Sequence, residues 1–142
     1  MKNAVIVEET IQASVDKVWE ALTNKEKMKH WYFEVSDFKA EEGFEFSFPG
    51  QGKKGEKYIH RCKIIEIIPN RKLKYSWRYE TYAGYSEVTF DLFPEGDDTL
   101  VRVTHIGLDS FPADNDDFAL TSFDAGWTEI ITKQLPHYLR NA

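Results

Sequence analysis

Between Phe44 and Ile106 apolar residues recur at every second position, interrupted only by short turn-forming segments. Phe44, Phe46 and Phe48 alternate with Glu45 and Ser47. Tyr58, His60, Cys62 and Ile64 oppose Arg61 and Lys63, and Leu73, Tyr75, Trp77 and Tyr79 oppose Lys72, Lys74, Ser76 and Arg78. Val88, Phe90 and Leu92 continue the pattern, and Val101, Val103 and His105 face away from Arg102 and Thr104. A period of two describes strands with one face buried. Parallel neighbours need crossover connections of about a dozen residues, and the gaps here are shorter, so the strands form an antiparallel meander. Turns are expected at Pro49-Gly50-Gln51-Gly52, at Pro69-Asn70 and at Pro94-Glu95-Gly96-Asp97.

The flanking segments have a different rhythm. Ala4 to Ala13 is rich in β-branched residues and reads as an opening strand. Ser14 is placed to cap a short helix carrying Val18, Trp19 and Leu22 on one side, and Asn24 to cap a second in which Met28 and Trp31 share a side. An acidic loop runs from Gly107 to Asp117. From about Ala119 to Leu139 the spacing is helical, with Phe123, Trp127, Ile130, Ile131, Gln134 and Tyr138 recurring along a long helix. Pro136 lacks a backbone donor and crowds the carbonyl of Thr132, which predicts a kink or an early end. The result is an α+β fold, one domain over residues 1–142, long enough to bury a substantial core.

Aromatic residues make up 15% of the chain, from 10 Phe, 7 Tyr and 4 Trp, and this is more ring area than a minimal core of this size needs. Part of it is expected to line a cavity between the sheet and the last helix. The expected lining is Trp31, Phe46, Tyr58, His60, Tyr75, Trp77, Tyr79, Phe90, His105, Phe123, Trp127, Ile130 and Gln134. A few polar tips on apolar walls are typical of a site for a hydrophobic or aromatic small molecule. His105, on the apolar face of its strand, is the first expected ligand contact.

Several classes are excluded or disfavoured. The single cysteine, Cys62, allows no internal disulfide and fits a reducing compartment, so the cytoplasm is expected. No stretch approaches the roughly 20 apolar residues that span a bilayer. A net charge of −6 disfavours nucleic acid. His30, His60, His105 and His137 lack metal-ligand spacing, and no motif calls for a cofactor. The charge is uneven, however: Gln51 to Glu80 is +6 and the remainder −12. Arg61, Lys63, Lys72, Lys74 and Arg78 are therefore candidate contacts for an acidic protein partner, or simply the solvated face of two strands.

The run Ala13-Ser14-Val15-Asp16-Lys17-Val18-Trp19-Glu20-Ala21-Leu22-Thr23, followed by Trp31, resembles the opening of START-like (SRPBCC) domains, in the branch related to the C-terminal domain of the activator of heat-shock-protein-90 ATPase. Gly43-Phe44-Glu45-Phe46, Pro69 with Leu73-Lys74-Tyr75-Ser76-Trp77, Ser86-Glu87-Val88-Thr89-Phe90 with Thr99, and Gly126-Trp127 are similar to later landmarks of that branch. The resemblance implies a helix-grip fold, a curved antiparallel sheet wrapped around a long C-terminal helix with two short helices after the first strand. It also implies binding of a hydrophobic small molecule. The alternatives it carries are a chaperone-accessory domain and a polyketide cyclase or dehydratase-like enzyme, in which His105 with Tyr75 or His60 would serve as acid and base.

Overall fold

The computed structural model describes residues 4–141. Strand β1 (Ala4–Ile11) leads into helices α1 (Val15–Thr23) and α2 (Lys25–Met28), and an irregular stretch then reaches the meander of β2 (Glu45–Gln51), β3 (Lys57–Ile68), β4 (Lys72–Tyr79), β5 (Ser86–Glu95) and β6 (Asp98–Ile106). The sheet order is β1-β6-β5-β4-β3-β2, with every pairing antiparallel. β1 closes back onto β6 in register Val5↔His105 and Val7↔Val103, so the two short helices carry the chain from one edge of the sheet to the other.

The inward set matches the alternation. Phe46, Phe48, Tyr58, His60, Cys62, Ile64, Leu73, Tyr75, Trp77, Tyr79, Val88, Phe90, Leu92, Val101, Val103 and His105 are all buried. Both caps form as their chemistry requires. Ser14 accepts from Lys17 N and Asn24 from Lys27 N, each satisfying an amide that the first helical turn leaves without a partner. Trp31 lies just past α2 and donates its indole N–H to Ala21 O at 2.9 Å, taking up a carbonyl near the C-terminal end of α1.

Two expectations are corrected. β2 runs through Pro49 and Gly50 to Gln51, so the turn is not at 49–52 but later, where Gly52 N bonds Glu56 O at 2.8 Å and Gly55 adopts φ +87°. Proline is tolerated there because β2 is an edge strand with one side free of ladder bonds. The terminal helix also neither ends nor is one continuous α-helix. α3 (Leu120–Glu129) passes through a π turn at Ile130–Gln134 into α4 (Leu135–Arg140). In that wide turn Leu135 N bonds Ile130 O, and the extra residue accommodates the donor missing at Pro136 without stopping the helix.

Candidate functional site

The layer between sheet and terminal helix is filled by interlocking rings over most of its length. Trp127 of α3 has ring centroids of Tyr32, Trp77, Phe90 and His105 at 6.1, 5.8, 5.7 and 6.0 Å. Phe48 stacks on Phe33 at 4.5 Å and on His60 at 4.4 Å. These are ordinary aromatic packing distances. A groove of about 600 Å³ runs along the outside between β1 and α3, and a cleft of about 210 Å³ lies where Gly50, Tyr58, His60 and Tyr79 of the sheet face Phe33, Asp117, Phe118 and Ser122.

His105 and His60 are both buried, and their hydrogen bonds assign them opposite roles. Trp127 Nε1 donates to His105 Nδ1 at 3.0 Å, which places the ring proton on Nε2, 2.8 Å from Ser86 Oγ. Ser86 Oγ in turn donates to Trp77 O at 3.0 Å. Both ring nitrogens are thus committed within the protein, and burial pulls the pKa of His105 down to about 3. His60 Nδ1 lies 3.2 Å from Phe48 O, and a carbonyl can only accept, so Nδ1 carries the proton and Nε2 presents a bare lone pair. No fully buried side-chain nitrogen or oxygen lacks a partner among the described residues, so Nε2, which bonds to none, keeps contact with solvent at the cleft. Burial also holds His60 neutral, with its pKa lowered to about 4.

The rim is tied by Asp117. Tyr58 donates its hydroxyl to Asp117 Oδ2 at 2.6 Å and accepts from Asn115 Nδ2 at 3.1 Å, while Lys53 N donates to Asp117 Oδ1 at 3.1 Å. The Tyr58 bond, followed by that from Lys53, keeps the Asp117 carboxyl below its usual range. Burial first, then the bond to Asp117, pushes Tyr58 up to about 12. Gly52 permits this closeness: a Cβ there would sit 2.1 Å from Asp117 Oδ2.

Of the residues expected to line a cavity, Tyr58, His60 and Tyr79 border the cleft. Trp31, Phe46, Tyr75, Trp77, Phe90, His105, Phe123 and Trp127 lie buried in the ring layer and core behind it. Ile130 is half-buried, and Gln134 stands exposed on the outer side of the helix. Phe33, Asp117 and Phe118 were not singled out, although a Trp31-Tyr32-Phe33 run outside any helical face and an aromatic just before α3 were the available signals. Cys62 is buried and its thiol is pushed far up by desolvation, which makes it inert.

On the outer face Arg61 pairs with Glu80, Lys72 with Glu66 and Lys74 with Glu87. Lys63 and Arg78 make no ion pair within 4.0 Å among the described residues. Among the described residues no group of three or more His, Cys, Asp or Glu could hold a metal ion, and no helix is long and apolar enough to cross a membrane.

A curved antiparallel sheet gripping a C-terminal helix, with a cleft at the end of the grip, defines a START-like (SRPBCC) domain. The chain belongs to the family described as Activator of Hsp90 ATPase homolog 1-like protein, whose model matches residues 12–140. It is similar in structure to DynU16, a protein of the dynemicin biosynthetic locus, with TM-score 0.78 and 21% identity over 99% of this chain. It spans only 48% of DynU16. CalU16 from Micromonospora echinospora superposes with TM-score 0.74 and 28% identity, over 96% of this chain and 75% of that one. MLL2253 from Mesorhizobium loti gives TM-score 0.75 and 24% identity, over 98% of each chain. Comparison with curated proteins gave no match.

Proposed function

We propose that this chain binds a hydrophobic or aromatic small molecule, without covalent chemistry, in the cleft between Phe33, Tyr58, His60, Tyr79 and Phe118 at the open end of the grip. The observation that carries the reading is the cleft itself, small at about 210 Å³, with aromatic walls and a buried, uncharged polar floor. The domain's fold family supports a hydrophobic ligand, and the place of DynU16 in a biosynthetic locus is in keeping with a small organic one. A cyclase-like role finds less support. His105 has no nitrogen to offer, and His60, with a pKa near 4, is a weak base at neutral pH. Titration with an environment-sensitive apolar dye tests the proposal. One-to-one binding that weakens several-fold in Phe33→Ala supports it, and unchanged binding in a folded Phe33→Ala protein counts against this location.

A second reading is docking of an acidic partner such as an Hsp90-type chaperone on the outer face. It is favoured by a groove whose lining sets Arg61, Lys63 and Arg78 against Glu45 and Glu80, with only Arg61 of the three bases ion-paired among the described residues. The β3–β4 ladder opens there, and Lys63 N bonds Ser76 Oγ at 3.0 Å in place of a strand partner. Hsp90 binding that is lost with added salt, and lost in Lys63→Glu/Arg78→Glu, would support it. Exposed charges are screened beyond about 8 to 10 Å at ordinary ionic strength, so binding insensitive to both changes would remove it.

A further inference from the structure

Two residues that line the cleft, His60 and Tyr79, each keep one hydrogen-bonding position that no side chain or backbone group among the described residues takes. His60 and Tyr79 face each other across β3 and β4, with ring centroids 4.8 Å apart, and both are more than nine-tenths buried. The bond from Nδ1 to Phe48 O leaves the lone pair on His60 Nε2, and no donor among the described residues bonds it. Tyr79 Oη accepts from Trp77 Nε1 at 2.9 Å, so its own hydrogen points elsewhere, and no acceptor among the described residues takes it. Both side chains border the cleft.

We infer that the ligand of this cleft is a neutral hydroxylated aromatic, a phenol or enol, whose O–H donates to His60 Nε2 while its oxygen accepts from Tyr79 Oη–H. The inference rests on the binding reading above and adds the ligand's polar group. A hydroxyl is the smallest group that donates and accepts through one atom, and it answers both needs at once. A carboxylate would answer only Tyr79 and would set its charge against the lone pair of a neutral imidazole. An ether or a bare hydrocarbon would leave the His60 nitrogen desolvated and unpaired. Of the charged lining residues, Asp117 is a carboxylate bonded to the cleft wall through Tyr58, and Lys53 stands exposed at the rim. Neither puts a cation on the floor.

The test is a calorimetric series on the unaltered protein at neutral pH with naphthol, methoxynaphthalene, naphthalene and naphthoate, accompanied by the ¹⁵N shift of His60 Nε2. Naphthol binding about tenfold tighter than methoxynaphthalene, the scale of the one hydrogen bond that an ether cannot donate, with the Nε2 resonance moving on binding, is the expected result. His60→Leu should bring the two affinities together, and His60→Gln, which keeps an acceptor, should restore part of the preference. Equal affinity for naphthol and methoxynaphthalene overturns the hydroxyl inference and leaves the binding reading standing. Tightest binding of naphthoate also overturns it. If none of the four binds, both fall together.

Discussion

Trp127 Nε1 donates to His105 Nδ1 across 3.0 Å, and this bond fastens α3 to β6 in the middle of the ring layer. It also sets the tautomer of His105, and through it the direction of the bonds to Ser86 and on to the backbone of β4.

Replacing Trp127 by Phe keeps a large ring but removes the donor, leaving His105 Nδ1 buried without a partner. The cost of such an orphaned group is about 1–3 kcal/mol. Trp127→Phe should therefore fold and unfold at lower denaturant with an unchanged slope, as followed by circular dichroism. An equal midpoint would show that the bond contributes nothing net.

Acid should weaken the fold earlier than carboxylate protonation alone would. His60 and His105 are held neutral to about pH 4 and about pH 3, against an ordinary value of 6.5, so between 6.5 and 4 the unfolded chain takes up protons that the folded chain refuses. Stability is complete above 6.5 and falls as pH drops through this window, each histidine contributing at most about 1.4 kcal/mol per pH unit. Denaturant melts at stepped pH should show the slope, and His60→Leu should roughly halve it. A flat profile down to pH 4.5 in the unaltered protein would contradict the burial of both rings.

The strands were legible because alternation reports which face is buried, and the inward set from Phe46 to His105 follows it position by position. The caps at Ser14 and Asn24 were legible for a similarly local reason. The displaced turn was not, because Pro49-Gly50 has turn chemistry and only the edge position of β2 makes it tolerable as strand. Periodicity placed His60 and His105 alike on the apolar side. Their difference depends on which atoms the neighbouring elements bring to each ring nitrogen, and a Trp donor from α3 at one and a β2 carbonyl at the other are tertiary facts. The cleft likewise depends on Phe33 and Phe118, from segments with no regular period.

Gly52→Ala places a methyl group 2.1 Å from Asp117 Oδ2 and 2.8 Å from Tyr58 Cε2, so the Asp117 side chain must move and its bonds to Tyr58 and Lys53, which tie the β2–β3 hairpin to the 115–118 segment, are disturbed. Overpacking of this kind costs about 1–3 kcal/mol, concentrated here at the rim. Faster amide exchange at residues 115–118 is expected, with the strands behind protected as before. Unchanged exchange there would mean that the carboxylate shifts without releasing the loop.

Tyr32 and Tyr75 share a hydroxyl–hydroxyl bond of 2.6 Å, with Tyr75 only 1% exposed, and this bond holds the segment whose next residue, Phe33, walls the cleft. Tyr32→Phe or Tyr75→Phe alone leaves the other hydroxyl without its partner, costing about 1–3 kcal/mol, whereas the double change removes both polar groups from an apolar surround. The double variant should therefore lose less stability than the two singles summed, with a coupling of about 1 kcal/mol or more in denaturant melts. Because the bond also restrains Phe33, the same double variant should admit an apolar dye faster in stopped-flow mixing. Additive stability losses together with an unchanged association rate would show that the tyrosine pair neither cooperates nor guards the entrance.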